Sequence, residues 1–180
     1  MIQIRNMNDI TPDQLGQAAR VLSDSLPWGY AAPEDAMREI KRRLVPENTM
    51  LAVVSEGEVV ALAGMMDPTY DGRVFELHPL AVRSDRRGRG MGRALVTALE
   101  DAARSRGGVV MWLGADDDSA EGETTLAGVD LFDDLPGRLA NFKPGTHQAG
   151  FYMKLGYGII GVMPEASGPG KPDIYMAKRL

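Results

Sequence analysis

A glycine turn rich in arginine is the segment of this 180-residue chain whose residue types best suit a chemical task. It comprises RRGRGMGRAL (86–95), with glycine at three alternate positions. The apolar stretch FELHPLAV (75–82) precedes it, and an amphipathic helix to about Arg106 follows it. The first amides of a helix have no internal acceptor, and glycine lets a ligand approach the backbone closely. The turn therefore predicts a site for a phosphate or pyrophosphate.

Spacing excludes two common phosphate-binding motifs. A P-loop needs Lys and then Ser or Thr after its last glycine, whereas an arginine follows Gly92. The dinucleotide fingerprint G-x-G-x-x-G/A fails from either possible start, because its last position is neither Gly nor Ala. The pattern that fits is R-x-x-G-x-G, formed by Arg87, Gly90 and Gly92. Taken alone, such a turn is also typical of a solvated helix start.

A second motif late in the chain narrows these alternatives. HQAGFYMKLGYGIIGV (147–162) predicts a short helix carrying Tyr152, then Leu-Gly-Tyr at the start of a strand. In this order the two motifs resemble the GCN5-related N-acetyltransferases (GNAT), in which the first is the coenzyme A pyrophosphate loop. FELHPLAV, SRGGVVMWLGADD (105–117) and KPDIYMAK (171–178) resemble one branch more narrowly, the aminoglycoside 6′-N-acetyltransferases of the chromosomal, dimeric type.

The resemblance implies an α/β (α+β) fold. We expect a mixed, mostly antiparallel sheet of about six or seven strands, splayed between the fourth and fifth strands and flanked by about four helices. Hydrophobic periodicity places strands at 2–5, 49–56, 58–67, 71–82, 109–115, 157–163 and 173–180, and helices at 12–25, 34–44, 91–106 and around Tyr152. The fifth strand, VVMWLGA, is apolar enough to predict burial on both faces. Residues 125–135 are mildly amphipathic and predict a further helix.

Composition limits the classes of protein. A hydrophobic fraction of 44% and a charged fraction of 25% predict a single globular domain over residues 1–180. No apolar run reaches the roughly 18 residues of a membrane span. The opening MIQIRNMNDI lacks a signal-peptide pattern, so we expect a cytoplasmic protein. With no Cys and only two His, neither a disulfide nor a metal site is expected.

Charge is segregated along the chain. Residues 83–93 carry five Arg and one Asp, whereas residues 114–137 carry eight acids and no Lys or Arg. The first segment suits an anion and the second a cation, although both are also compatible with plain solvated surface. The net charge of −5 and the lack of interleaved aromatic residues argue against nucleic acid. We therefore expect a small polycationic amine as the partner, and neither nucleic acid nor membrane.

The resemblance also assigns binding roles, with acetyl-CoA as the co-substrate and no metal. The amide of Leu80 would face the thioester carbonyl, and the backbone of Val82 would bind the pantetheine arm. The pyrophosphate would be bound by seven consecutive residues, Arg87, Gly88, Arg89, Gly90, Met91, Gly92 and Arg93. One departure is Gly145, at a position where many members carry an Asn that binds the arm. Independently of the family, Pro79 lacks an amide N–H, so a bulge or break is expected in the strand that contains it.

Catalytic roles follow from the same resemblance. Tyr152 would be the general acid for the leaving thiolate, Glu76 would position the amine or accept its proton through water, and Leu80 would stabilise the oxyanion. The alternatives are a core aromatic for Tyr152 and a cross-strand salt bridge for Glu76. The expected substrate-side residues are Trp28, Glu76, His78, Asp116 and Asp117, with a structural role as the alternative for His78. Because the chain has no Cys, direct transfer in a ternary complex is expected rather than double displacement.

The sequence thus yields one hypothesis of function and three alternatives. The hypothesis is acetyl-CoA-dependent acetylation of the 6′-amine of an aminoglycoside antibiotic, with resistance as the outcome. A polyamine N-acetyltransferase, a protein or peptide N-acetyltransferase of the same fold, and a non-catalytic coenzyme A-binding module stay open. The resemblance also predicts a homodimer, with IYMAKRL (174–180) and the apolar residues of 124–135 as contributors.

Overall fold

The computed structural model describes residues 3–66, 68–119 and 122–180. The strands in these ranges are β1 (Gln3–Asn6), β2 (Thr49–Ser55), β3 (Glu58–Met65), β4 (Val74–Val82), β5 (Val110–Asp116), β6 (Gly158–Met163) and β7 (Asp173–Arg179). The α-helices are α1 (Pro12–Ser25), α2 (Pro33–Arg43), α3 (Met91–Ser105), α4 (Leu135–Ala140) and α5 (Ala149–Met153). None of these helices combines the length and the apolar character of a membrane span. Seven strands and four of the five helices therefore lie close to the predicted positions.

The chain forms two compact units, one up to Met111 with Leu180 and the other Trp112–Arg179. In the first unit, β1 to β4 pair in sequence order as an antiparallel sheet, with Ala52, Leu62 and Ala81 side by side on adjacent strands. Helices α1 and α2 contact one face through a shared apolar core, and α3 packs on β2, β3 and β4. As a result β3 is buried along almost its whole length.

Local sequence signals set the helix ends of the first unit. The Thr11 hydroxyl accepts the Gln14 amide at 3.2 Å, and the Gln14 side chain accepts the Thr11 amide at 3.1 Å. This reciprocal capping box, followed by Pro12, begins α1 where the sequence predicts.

The predicted parallel crossover through α3 is present. The amides of Val109 and Val110 donate to the Arg73 carbonyl at 2.9 and 3.4 Å. Arg73 directly precedes β4, so β5 begins beside the start of β4, as a strand–helix–strand crossover requires.

The second unit contains the strand order β5-β7-β6, with β6 and β7 antiparallel. The predicted helix over 125–135 is wrong: Gly128 adopts a φ of +68°, and its amide donates to Gly170 at 2.9 Å. The Asp130 carboxylate then accepts the Phe132 amide at 2.9 Å, a turn that competes with helix formation. The helix begins later, at Leu135, after an Asp134 cap on the Gly137 amide.

The predicted burial of β5 on both faces is also wrong. Its residues alternate, so that Met111, Leu113 and Ala115 are buried whereas Gly114 and Asp116 are exposed. The apolar run reflects strand propensity and one buried face. That residues 1–180 form one domain stays a prediction.

Candidate active site

The glycine turn has the backbone geometry of an anion site. Gly88 and Gly90 have φ values of +73° and +82°, and Gly90 is the N-cap of α3. Among the described residues no side chain accepts a hydrogen bond at this cap, and the first intrahelical bond starts at the Ala94 amide. A Cβ at Gly88 or Gly90 would meet no atom of the described residues within 4 Å, so glycine is required there for its conformation. The amides of the first turn therefore remain available to a ligand.

Of the five arginines in residues 83–93, only some are available to bind an anion. Arg83 bonds Asp85 at 2.7 Å and Glu58 at 3.0 Å, and Arg86 lies 3.4 Å from Asp85. Arg87 donates from Nε to the Val82 carbonyl at 3.1 Å, which connects the turn to the end of β4. Within the described chain Arg89 and Arg93 are exposed and have no acidic partner. The field that an anion meets thus comes mainly from the helix amides and these two side chains.

The bulge predicted at Pro79 is present. Ala63 pairs with Leu80 and Met65 with Leu77, so His78 and Pro79 together lie opposite the single residue Gly64. A Cβ on Gly64 would come within 2.5 Å of the His78 carbonyl, so the bulge can form only opposite glycine. The bulge interrupts the ladder next to Leu80. The role of the Leu80 amide stays a prediction.

Four predicted residues share one side of β4. Glu76, His78, Leu80 and Val82 take alternate, half-buried positions, whereas the residues between them are buried. Glu76 makes no ion pair with any described residue, so the cross-strand salt bridge weighed as its alternative role has no partner there. Its carboxylate is available for a ligand.

His78 is held in its neutral form by its surroundings. Burial and, to a lesser extent, the Arg43 guanidinium lower the pKa of His78 to about 4, against the opposing charge of Glu39. Its Nε2 lies 3.3 Å from the Tyr30 hydroxyl. Tyr30 belongs to the loop between α1 and α2, which also carries Trp28, 82% exposed. His78 therefore has a structural contact, and Tyr30 is a residue that sequence reasoning missed because its partner is distant in the chain.

Tyr152 is buried in the second unit by aromatic packing. Its ring makes edge contacts with Phe151 and Tyr157, at centroid distances of 5.1 and 5.8 Å. Burial raises the pKa of Tyr152 well above its usual 10, so the hydroxyl stays protonated at any working pH. The hydroxyl has no hydrogen-bond partner among the described residues. The ring of Tyr152 is therefore packed as a core aromatic residue would be, and its hydroxyl is available as a proton donor.

The two predicted acids after β5 differ sharply. Asp116 is exposed, and its carboxylate accepts the Ser167 hydroxyl at 3.2 Å. Asp117 is only 1% exposed and accepts the amides of Glu123 and Thr124, both at 2.8 Å. Asp117 is therefore not the available carboxylate that a substrate-side residue requires, because backbone amides of the following loop occupy both of its oxygens.

A third acid, which the sequence did not reveal, lies close to Asp116. Burial raises the pKa of Asp173 to about 6, and the negative charge of Asp116 adds to the increase. One Asp173 oxygen, Oδ1, is enclosed without a hydrogen-bond partner among the described residues, and the carboxylate lies against Gly114. Two neighbouring carboxylates suit a cationic amine, and the pairing of β5 with β7 brings these two together.

Comparison with known proteins gives a consistent family. The model of the acetyltransferase (GNAT) family matches residues 17–122. A solved aminoglycoside 6′-N-acetyltransferase complexed with coenzyme A is 36% identical, with 98% of this chain and 96% of that chain covered and a TM-score of 0.89. The enzyme from Enterococcus faecium is also 36% identical, with 99% and 96% covered and a TM-score of 0.87.

A third structure, aminoglycoside 6′-acetyltransferase type Ii, is 33% identical, with 98% and 96% covered and a TM-score of 0.75. No curated protein sequence matches the chain significantly. The family match confirms the predicted fold class, since more than half of the chain is covered by the family model and nearly all of it by these structures. The chain therefore belongs to the acetyltransferase (GNAT) family.

Proposed function

We propose that this protein transfers the acetyl group of acetyl-CoA to the 6′-amine of an aminoglycoside. The observation that carries the proposal is the similarity, over almost the whole chain, to solved aminoglycoside 6′-N-acetyltransferases. The available carboxylates of Glu76 and Asp116 support it, since aminoglycosides carry several ammonium groups.

The glycine turn suits the co-substrate that the family uses. A pyrophosphate would find hydrogen-bond donors in the amides at the start of α3 and in the side chains of Arg89 and Arg93. The open space beside Gly88 and Gly90 lets phosphate oxygens approach the backbone. Bound there, acetyl-CoA supplies an activated acetyl thioester. In this proposal the backbone of Leu80 and Val82 binds the thioester end and the arm.

Two residues of the chain then carry out the two proton transfers, one from the amine and one to the sulfur. Glu76 orients the incoming amine and accepts its proton, directly or through water. The amine nitrogen bonds to the acetyl carbon as the carbon–sulfur bond breaks, and Tyr152 donates a proton to the departing sulfur. Because its pKa is raised, the Tyr152 hydroxyl is still protonated when the thiolate leaves. His78 adds no charge on the amine side, because its lowered pKa keeps it neutral.

A thiol-release assay across three substrate classes tests the proposal. Kanamycin-like compounds with a 6′-amine should be acetylated, and matched analogues with a 6′-hydroxyl should not. Spermidine and a lysine peptide serve as the other classes. Turnover of a polyamine or a peptide with no turnover of any aminoglycoside would contradict the proposed substrate and leave the family assignment intact. Coenzyme A binding without turnover of any amine would indicate a non-catalytic module.

We also propose that the protein is a homodimer. In the described structure β7 lies between β5 and β6, so the predicted C-terminal strand offers no unpaired edge. The better contributors are the exposed apolar side chains Phe132, Ile160 and Met163, which are 78%, 65% and 50% exposed. Sedimentation that gives a monomer of 19.5 kDa at micromolar concentration would contradict the dimer.

A further inference from the structure

His147 is a buried residue of the second unit that the proposed mechanism does not use. Only 5% of it is exposed, and both of its ring nitrogens are in hydrogen bonds. Nε2 lies 2.9 Å from the Asp116 carbonyl oxygen, and Nδ1 lies 3.2 Å from the Ala149 amide nitrogen. The imidazole therefore bridges two backbone groups that are far apart in sequence.

These two partners determine where the ring carries its proton. An amide N–H can only donate, so Nδ1 must be the acceptor and carries no hydrogen. A carbonyl oxygen can only accept, so Nε2 must carry the hydrogen and donate it. The arrangement selects the neutral Nε2–H tautomer, and either other protonation state would lose the bond to Ala149.

The bridge joins two elements of the candidate site. Ala149 is the first residue of α5, the helix that carries Tyr152, and Asp116 is the last residue of β5. Helix α5 has only five residues and no side-chain cap from its own N-cap residue, Gln148. A helix this short has little stability of its own, so its direction depends on such tertiary contacts.

We infer that His147 is a positioning residue for acetyl transfer, which holds α5, and with it the Tyr152 hydroxyl, against the end of β5. This inference rests on the proposed function, since it assigns Tyr152 the role of proton donor. His147 itself acts only through the two backbone groups that it bonds. Its bond to Ala149 orients the acid, and its bond to Asp116 orients the residue proposed to receive the cationic substrate.

Two conservative substitutions separate the two bonds. The Asn oxygen of His147→Asn can accept the Ala149 amide in an Asx turn, but this side chain is too short to reach Asp116. The amide nitrogen of His147→Gln corresponds to Nε2 and can donate to Asp116, but this variant has no acceptor at the Nδ1 position. Gln148→Asn, an exposed neighbour, is the matched control for shortening a side chain at this turn.

Kinetics of the full chain should show a split between kcat and KM. We expect His147→Gln to lower kcat roughly tenfold to a hundredfold through misplacement of the acid, with KM for the amine nearly unchanged. His147→Asn should keep kcat within about threefold and raise KM for the amine several-fold. Gln148→Asn should change neither, and coenzyme A affinity should be the same in all three. Equal loss of kcat in both His147 variants, or no loss in either, would overturn the inference.

A spectroscopic test does not depend on the substrate. Because the chain contains only two His, ¹⁵N labelling of histidine gives two resolvable ring systems, and loss of one set in His147→Gln assigns it. The His147 ring should show the Nε2–H tautomer at neutral pH in the wild-type protein. A proton on Nδ1 would overturn the inference. If wild-type protein acetylates another amine and no aminoglycoside, the proposed substrate fails while the kcat ratio, measured with that amine, still tests His147.

Discussion

Tyr152 is fixed by its ring while its hydroxyl remains without a partner among the described residues. Removing the hydroxyl should therefore leave the packing intact, which makes Tyr152→Phe a clean test of proton donation. We expect kcat to fall roughly tenfold to a thousandfold, with coenzyme A affinity nearly unchanged. Turnover and binding calorimetry together check this. Unchanged turnover would reduce Tyr152 to a packing residue, with water as the source of the proton.

Asp173 should make stability depend on pH in a direction opposite to most carboxylates. Its folded pKa of about 6 exceeds its ordinary 3.8, so the folded protein binds more protons than the unfolded chain between these values. The free energy of unfolding contributed by this group is therefore highest at low pH and falls as pH rises toward 6. The ionised carboxylate destabilises the folded state at neutral pH.

Asp173→Asn tests this sign. The variant should be more stable than wild type at about pH 8, on the order of 1 kcal/mol, since partial exposure screens much of the shift. The difference should shrink at about pH 4, where the wild-type group is protonated. Denaturant unfolding at both values measures it. His78 does not affect the comparison, because its opposite contribution is the same in both proteins. A difference that is independent of pH would contradict the raised pKa.

At the scale of elements, the glycine turn should bind through its backbone more than through any one arginine. Each amide–phosphate bond is charge-assisted and contributes about 1.5–3 kcal/mol, and a side chain on Gly92, in the first turn of α3, would obstruct more than one. Gly92→Val should weaken coenzyme A binding roughly a hundredfold, whereas Arg89→Ala should weaken it only several-fold.

Calorimetry of both variants checks this comparison. Thermal unfolding is the control, because valine in place of glycine must leave α3 folded for the binding loss to be informative. Equal losses in the two variants would indicate that the arginine charge, and not the backbone, holds the anion.

Elements with local signals were predictable from sequence, and contacts between distant segments were not. The start of α1 at Pro12, the glycine start of α3 and the interruption of β4 at Pro79 each have a signal in the local sequence, and all three are present. Asp117, in contrast, looked like one more acid of a charged run. Its burial depends on the following loop, which folds back so that the amides of Glu123 and Thr124 donate to its carboxylate. The composition of the acidic segment does not predict that this loop folds back onto Asp117.

The proximity of Asp173 to Asp116 was hidden for a related reason. The two carboxylates are far apart in sequence and come together because β5 pairs with β7. A single sequence does not specify the register between strands that are not consecutive in the chain. The family resemblance supplied the fold and the roles. The structure corrected which acids are available.

At the scale of the whole molecule, the net charge of −5 hides two segments of opposite sign. If the acids after β5 attract a polycationic amine, their effect should appear in both ground and transition states and should be screened by salt. Asp116 is the exposed member, and its one side-chain hydrogen bond among the described residues is to Ser167. Asp116→Asn should therefore raise KM for a kanamycin-like substrate several-fold at low ionic strength, with kcat nearly unchanged.

The matched control is Asp117→Asn, the same substitution one residue later. An amide at this buried position would place an NH₂ group against a backbone N–H, so the variant should lose about 1–3 kcal/mol of stability. Its KM should change little at temperatures where it stays folded. Steady-state kinetics at about 20 and 500 mM salt separates the two effects, since only the Asp116 effect should weaken at the higher concentration. If Asp116→Asn leaves KM unchanged at low salt, Asp116 is plain solvated surface, and the proposed substrate loses the support of the acidic segment.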